Sequence, residues 1–159
     1  MGMVKTGKHA PDFTLPDMAG ARRSLEQCLK QGPVLVAFFK ISCPTCQYTF
    51  PFLERLHKQL PAAKVVGISQ DARHKTEGFN GEYGISFAVL LDSEDDNYPV
   101  SNAYAITHVP SLFLIEPDGT IGFSSTGFVK ADLEEIGQRL GSTAPLFHRD
   151  EKIEAFRAG

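Results

Sequence analysis

Six consecutive apolar residues, Val34-Leu35-Val36-Ala37-Phe38-Phe39, are followed after three intervening residues by Cys43-Pro44-Thr45-Cys46. A continuous β-branched and aromatic run of this length suits a strand at the centre of a sheet covered on both faces. The stretch after it suits a helix, because Leu53, Leu56 and Leu60 recur at helical spacing. Glu54 and Lys58 read as an i,i+4 pair on its surface, and Pro51 is expected to kink it. A Cys-x-x-Cys at such a junction is a redox signal with a mechanism. If Cys43 is the N-cap, Pro44 falls at the first helical position, where its missing N–H costs nothing. Thr45 and Cys46 then direct their backbone N–H groups toward the Cys43 sulfur, and the helix dipole favours a thiolate there. Cys43 is the candidate nucleophile, and Cys46, one turn deeper, is the candidate resolving thiol. Helical i,i+3 neighbours hold their Cβ atoms about 5–6 Å apart, whereas a disulfide wants about 3.8 Å. A Cys43–Cys46 bridge is therefore expected to be strained and easily exchanged.

The flanking pattern alternates. A short helix from Ser24 to Lys30, with Ser24 as its N-cap, precedes the apolar strand. Lys64–Ser69 and Phe87–Leu91 read as further strands, with Ala72–Tyr83 helical between them, and this β-α-β-α-β order implies a parallel core. A short helix lies near Pro99 to Ala105. Ser111–Glu116 and Thr120–Ser124, joined by Pro117-Asp118-Gly119, read as a hairpin that makes the sheet mixed. Lys130–Arg139 is a last helix. The expectation is one α/β domain over residues 1–159, with a core spanning about 8–140 and a polar, partly mobile tail over about 145–159.

The charge balance, 16 basic against 19 acidic residues, offers no basic face for nucleic acid. Val34–Phe39 is the longest apolar run and is too short to span a bilayer. The start Met1-Gly2-Met3-Val4-Lys5 lacks a signal-peptide core, so the chain as given reads as cytoplasmic, or as exported if a leader preceded it. Three cysteines are too few for a disulfide scaffold. No second Cys or His pair completes a zinc site with Cys43 and Cys46. Cys28, beside Leu25 and Leu29, reads as a small buried hydrophobe. His57 reads as structural, and Asp92, Glu94, Asp95 and Asp96 as a solvated turn.

The segment from Ala37 to Cys46, with Pro51 five residues beyond the second cysteine, resembles the active-site region of the thioredoxin-like superfamily. His108-Val109-Pro110-Ser111-Leu112-Phe113 is similar to the segment in which that superfamily carries a cis-proline facing the CxxC. Ala10-Pro11-Asp12-Phe13-Thr14-Leu15 and Gly67-Ile68-Ser69-Gln70-Asp71 look most like its redoxin branch, the TlpA/ResA-type reductases and the AhpC/TSA peroxiredoxins. The resemblance implies a thioredoxin-like fold and a thiol-disulfide oxidoreductase in which Pro44, Thr45, Val109 and Pro110 contact substrate. It implies no cofactor beyond the redox-active Cys43–Cys46 disulfide. Its partners would be disulfide-containing proteins or small thiols, with an external thiol as electron donor. Two alternatives come with it. A peroxiredoxin-like peroxidase would carry P-x-x-x-[T/S]-x-x-C, but the matching positions hold Val36 and Lys40, or Phe39 and Cys43. A Sco-like copper protein would use Cys43, Cys46 and His108, although its cysteines are spaced CxxxC. Thioredoxins usually carry Trp and a buried Asp where this chain has Ser42 and Ala37, and ResA-like reductases often carry Glu where it has Thr49. The proton acceptor for Cys46 is then a water or Lys40.

Overall fold

A strand without a polar residue has no face to give to solvent, and Val34–Phe39 is buried along its whole length. The computed structural model describes residues 3–159, so the leader reading at Met1 and Gly2 lies outside the described residues. In chain order the elements are β1 (Thr14–Pro16), β2 (Arg22–Ser24), α1 (Leu25–Cys28), β3 (Val34–Phe39), α2 (Pro44–Gln59), β4 (Val65–Ser69) and α3 (Arg73–Tyr83). There follow β5 (Ala88–Leu91), α4 (Pro99–Ala103), β6 (Ser111–Ile115), β7 (Ile121–Thr126), β8 (Phe128–Val129), α5 (Lys130–Arg139) and β9 (Phe156–Arg157).

The central sheet runs β5-β4-β3-β6-β7. β3, β4 and β5 are parallel, while β6 is antiparallel to both β3 and β7, which gives the expected mixed sheet. Because strand side chains alternate, β3 feeds two cores. Leu35, Ala37 and Phe39 pack with Phe50, Leu53 and Leu56 of α2, Phe79 of α3 and Leu133 and Ile136 of α5. Val34, Val36 and Phe38 pack on the opposite face with Leu25 of α1 and Val100 and Tyr104 beside α4. The first helix starts at the expected cap: Ser24 Oγ accepts from Gln27 N, while Gln27 Oε1 accepts from Ser24 N. Pro51 sits inside α2 on its exposed side, where the lost N–H costs least.

Three sequence readings change. Glu54 is not a surface residue, being only 6% exposed. Lys58 reaches it at 3.8 Å, but its oxygens mainly accept from Ser86 N at 2.8 Å, Phe87 N at 3.3 Å and the Ser86 hydroxyl. The carboxylate thus ties α2 to the chain entering β5. Asp92 does not belong to the solvated turn, because it is buried and accepts from Val100 N and Ser101 N at the start of α4. The third change is the tail, which is packed rather than loose. Leu146 and Phe147 lie in the core, and Arg55 donates to Leu146 O at 2.9 Å and pairs with both oxygens of Glu151. Beyond Glu151 the chain runs extended, and β9 pairs antiparallel with β8, setting Arg157 opposite Phe128. The hairpin β1–β2 and this last pairing have no signal in a sequence where each strand is only two or three residues long.

Burial opposes ionisation of Glu54, but the donors from Ser86 and Phe87 outweigh it and hold its carboxyl below the usual glutamate range. A lowered folded-state pKa gives stability that is present above about pH 4.3 and is lost as pH falls through the folded value. Glu54→Gln should therefore cost about 1–3 kcal/mol near pH 7. Urea titrations should find that this gap narrows below pH 4, and a constant gap would refute the assignment.

Candidate active site

Parallel strands end together, so β3 and β4 deliver their following loops to one edge of the sheet. There Gln70 N donates to Phe39 O at 3.1 Å, and Asp71, next in the chain, accepts from Ile41 N at 2.8 Å. Gln47 Nε2 donates to Ile41 O at 2.9 Å, so the short link Lys40–Ser42 is held at its middle from both sides. This fixes where α2 begins. Cys43 has the extended φ/ψ of an N-cap, Pro44 occupies the first turn, and the Cys43 Sγ accepts from Cys46 N at 3.2 Å. The cap is thus a sulfur instead of the usual oxygen.

The loop before β6 supplies the opposite wall. The Val109–Pro110 peptide is cis, Pro110 is buried, and the Val109 carbonyl lies 3.4 Å from the Cys43 Sγ, which donates to it. Cys43 is half-buried between exposed Ser42 and exposed Pro44, whereas Cys46 has no exposed surface. Burial pushes the Cys46 thiol far above the usual cysteine range. The Lys40 main chain is the largest influence against it, and the Cys43 sulfur and then the charge of Asp71 add smaller pushes upward. Cys46 is therefore held as a neutral thiol while Cys43 faces solvent. All three cysteines are free thiols.

The structure brings Cys43, Cys46, Val109 and Pro110 together, with Pro44 at the rim. Thr45 is also adjacent, but it is buried and its hydroxyl donates to Ala158 O of the tail at 2.6 Å. Thr49, also buried, donates to Thr45 O at 2.7 Å. Neither hydroxyl bonds the Cys43 sulfur, and Val36 and Phe39 are buried in β3, so the positions that the peroxidase motif would use supply no hydroxyl to the thiol. His108 is exposed and its Nδ1 lies 3.0 Å from Thr107 Oγ1. Among the described residues no three His, Cys or carboxylate side chains converge to hold a metal, so the copper alternative finds no support in the geometry. Cys28 is partly buried on α1, where burial raises its pKa, and it packs against the core face remote from α2. A depression of about 370 Å³ between His9, Leu25 and Pro117 lies at the other end of β3, where Val34 pairs with Ile115, and has no part in this chemistry.

Asp71 is the residue that sequence reasoning passed over. It stands two positions beyond β4, at the sheet edge where β3 delivers the cysteines, and that topological signal was available. It is the main chain of Lys40 that opposes the rise in the Cys46 pKa. Asp71→Asn should lower the Cys46 pKa, since a raising charge is removed. It should also weaken the Ile41 tie, costing about 1–3 kcal/mol. The pH profile of release from a Cys43 mixed disulfide in the Cys28→Ser background reads the first effect as faster release at a given pH, and an unchanged profile would overturn it.

Comparison with known proteins agrees with the geometry. The AhpC/TSA family model matches residues 6–124. The thiol-disulfide oxidoreductase ResA of Bacillus subtilis is 32% identical over 130 residues, covering 78% of this chain and 69% of that protein. ResA of Geobacillus thermodenitrificans is 28% identical over 145 residues, covering 89% of this chain and 80% of that one. Among solved structures, the thioredoxin domain of a Bacteroides vulgatus thiol-disulfide oxidoreductase superposes with a TM-score of 0.75 at 25% identity, covering 86% of this chain and 97% of that one. No described helix is long and apolar enough to cross a membrane. With a thioredoxin-like sheet, a thiol-capped helix and a family match over most of its length, the chain belongs to the AhpC/TSA family, in its branch of ResA-like thiol-disulfide oxidoreductases.

Proposed function

We propose that Cys43 attacks a substrate disulfide and that Cys46 resolves the product. The Cys43 thiolate displaces one substrate sulfur as a thiolate and forms a mixed disulfide with the other. Cys46 then gives up its proton and attacks the Cys43 sulfur, which releases the second substrate thiolate and leaves the Cys43–Cys46 disulfide. Two electrons pass to the substrate, and the two departing sulfurs take up protons from solvent. Val109 and Pro110 border the approach to Cys43, and Pro44 lines its rim. The pair needs no cofactor beyond itself, and an external thiol restores the dithiol by the reverse exchange.

The observation that carries this reading is the asymmetry of the two sulfurs. One is half-exposed, with a backbone donor on one side and the Val109 carbonyl on the other, and its partner is fully buried one turn below. Substrates are disulfide-bearing proteins or small disulfides. In a reducing compartment such as the cytoplasm the pair acts as a reductase, and in an exported setting it would keep envelope thiols reduced.

Equilibration of the Cys28→Ser protein in dithiothreitol or glutathione redox buffers tests the reading. A single reversible two-electron transition, with the bridge mapped by mass spectrometry to Cys43 and Cys46, is the expected result. Failure to form that bridge would refute the exchange mechanism. Peroxide should be consumed no faster than by a free thiol.

A further inference from the structure

Chain beyond Glu151 passes directly across the face just assigned to substrate. Thr45, between the two cysteines, donates to Ala158 O at 2.6 Å. Gly159 lies against the Val109 carbonyl so closely that a Cβ added there would be 2.5 Å from the oxygen, the same oxygen that receives the Cys43 thiol. Gly127, at φ +74°, leaves room for the crossing: a Cβ there would sit 2.5 Å from Arg157 O and 3.0 Å from Gly159 N. The segment is therefore seated in a bed shaped for it, and it reaches both walls of the active site.

A polypeptide joined to Cys43 by a mixed disulfide has little freedom of position. The Cα atoms of two bridged cysteines lie about 4.4–6.8 Å apart, so the substrate backbone must run beside Cys43. On the Val109 side that space holds Ala158 and Gly159. We propose that residues Glu154–Gly159 form a displaceable strap. An extended polypeptide must lift it to reach Cys43, whereas a small disulfide enters past exposed Ser42 and Pro44 without doing so. This rests on the exchange reading above and names the substrate feature that the site senses.

The way the strap is held fits displacement. Its attachments are hydrogen bonds and surface contacts with little apolar burial: the Thr45 hydroxyl to Ala158 O, the two-residue β8–β9 pairing, Lys130 N to Ala155 O at 3.0 Å, Glu154 N to the Tyr48 hydroxyl at 3.3 Å, and the Arg157 guanidinium 4.7 Å over the Tyr48 ring. Glu154, Ala155, Phe156, Ala158 and Gly159 are exposed, Phe156 at 61%, so little apolar area is lost on lifting. An incoming extended peptide could pair with the vacated edge of β8 in place of β9. Residues up to Ile153 behave differently, because Leu146, Phe147, Ile153 and the Arg55–Glu151 pair anchor the tail to the core. The strap thus follows a fixed root and is itself weakly held, the pattern of a segment that opens locally at low cost.

Hydrogen exchange on trapped mixed disulfides tests the proposal. In the full chain carrying Cys28→Ser and Cys46→Ser, Cys43 is joined to glutathione or to an unstructured peptide with one central cysteine. The peptide adduct should exchange the amides of residues 155–158 roughly tenfold faster or more than the glutathione adduct. Equal protection in both adducts, or equal loss in both, would overturn the proposal. Arg157→Pro, which removes the guanidinium and one strand N–H, supplies an independent readout. It should raise the rate of insulin reduction several-fold and leave reduction of hydroxyethyl disulfide unchanged, and a fall or no change with insulin would count against the strap. A peptide adduct that sheds the strap, together with a Cys28→Ser protein that keeps Cys43 and Cys46 yet turns over no disulfide, would keep the strap and refute the exchange reading instead.

Discussion

Replacing Cys46 with serine is expected to turn the protein into a trap that holds one substrate per molecule. Cys43 remains free to attack, but no buried sulfur stands below it to break the mixed disulfide, so turnover should fall by roughly a thousandfold or more. The adduct, visible as a mass increase equal to the substrate half, should persist until an external thiol is added. Cys43→Ser should give equally low turnover and no adduct. Serine at a site with no exposed surface brings a hydroxyl into the core, and Cys46→Ala, which lacks that hydroxyl, should trap as well. Adduct formation at Cys46 in the Cys43→Ser protein would reverse the assigned roles. Because burial raises the Cys46 pKa, only a small thiolate fraction is available near neutral pH. Release from the wild-type adduct should therefore accelerate roughly tenfold per pH unit, and a pH-independent release would contradict the buried-thiol account.

The second large effect is structural. Phe50→Ala should destabilise the protein by about 3–5 kcal/mol, a substantial share of the roughly 5–15 kcal/mol typical of a domain. Phe50 is fully buried on α2 and meets Phe39, Phe79 and Phe87 at ring-centroid distances of 4.2, 5.7 and 5.7 Å. It is where the active-site helix grips β3, α3 and the approach to β5. At about 2–4 °C per kcal/mol for a domain of this size, calorimetry should show melting lowered by about 6–20 °C. A drop under about 3 °C would mean that the aromatic cluster is not the anchor of α2.

Much of this architecture was legible in the residues because local and tertiary signals agreed. Val34–Phe39 has no polar position to expose, and Ser24 with Gln27 makes a complete capping box. Lys130–Arg139 was bounded correctly, since its apolar residues share one helical face. Cys43 and Cys46 could be found because their chemistry depends on one helix turn. What sequence alone hid depends on distant partners. Glu54 has the spacing of a surface pair, and only Ser86 and Phe87, thirty-odd residues away, reveal it as a buried tie. Asp71 joins the site through the sheet and not through any motif. The tail looked loose because its composition is polar, yet two apolar residues, Leu146 and Phe147, and one bidentate pair suffice to root it. The bond from the Thr45 hydroxyl to Ala158 O was hidden for the same reason, because nothing near Thr45 in sequence announces that partner.

On the proposed exchange, the contrast between a sealed Cys46 and a half-open Cys43 also limits how the protein can be visited. Oxidant and reductant must use the same door, since only one sulfur can be touched from outside. The two partners therefore exclude one another, and no ternary complex can form at this centre. Initial rates measured at several donor concentrations should give parallel double-reciprocal lines, and an excess of either partner should slow the cycle by occupying the form of the protein meant for the other.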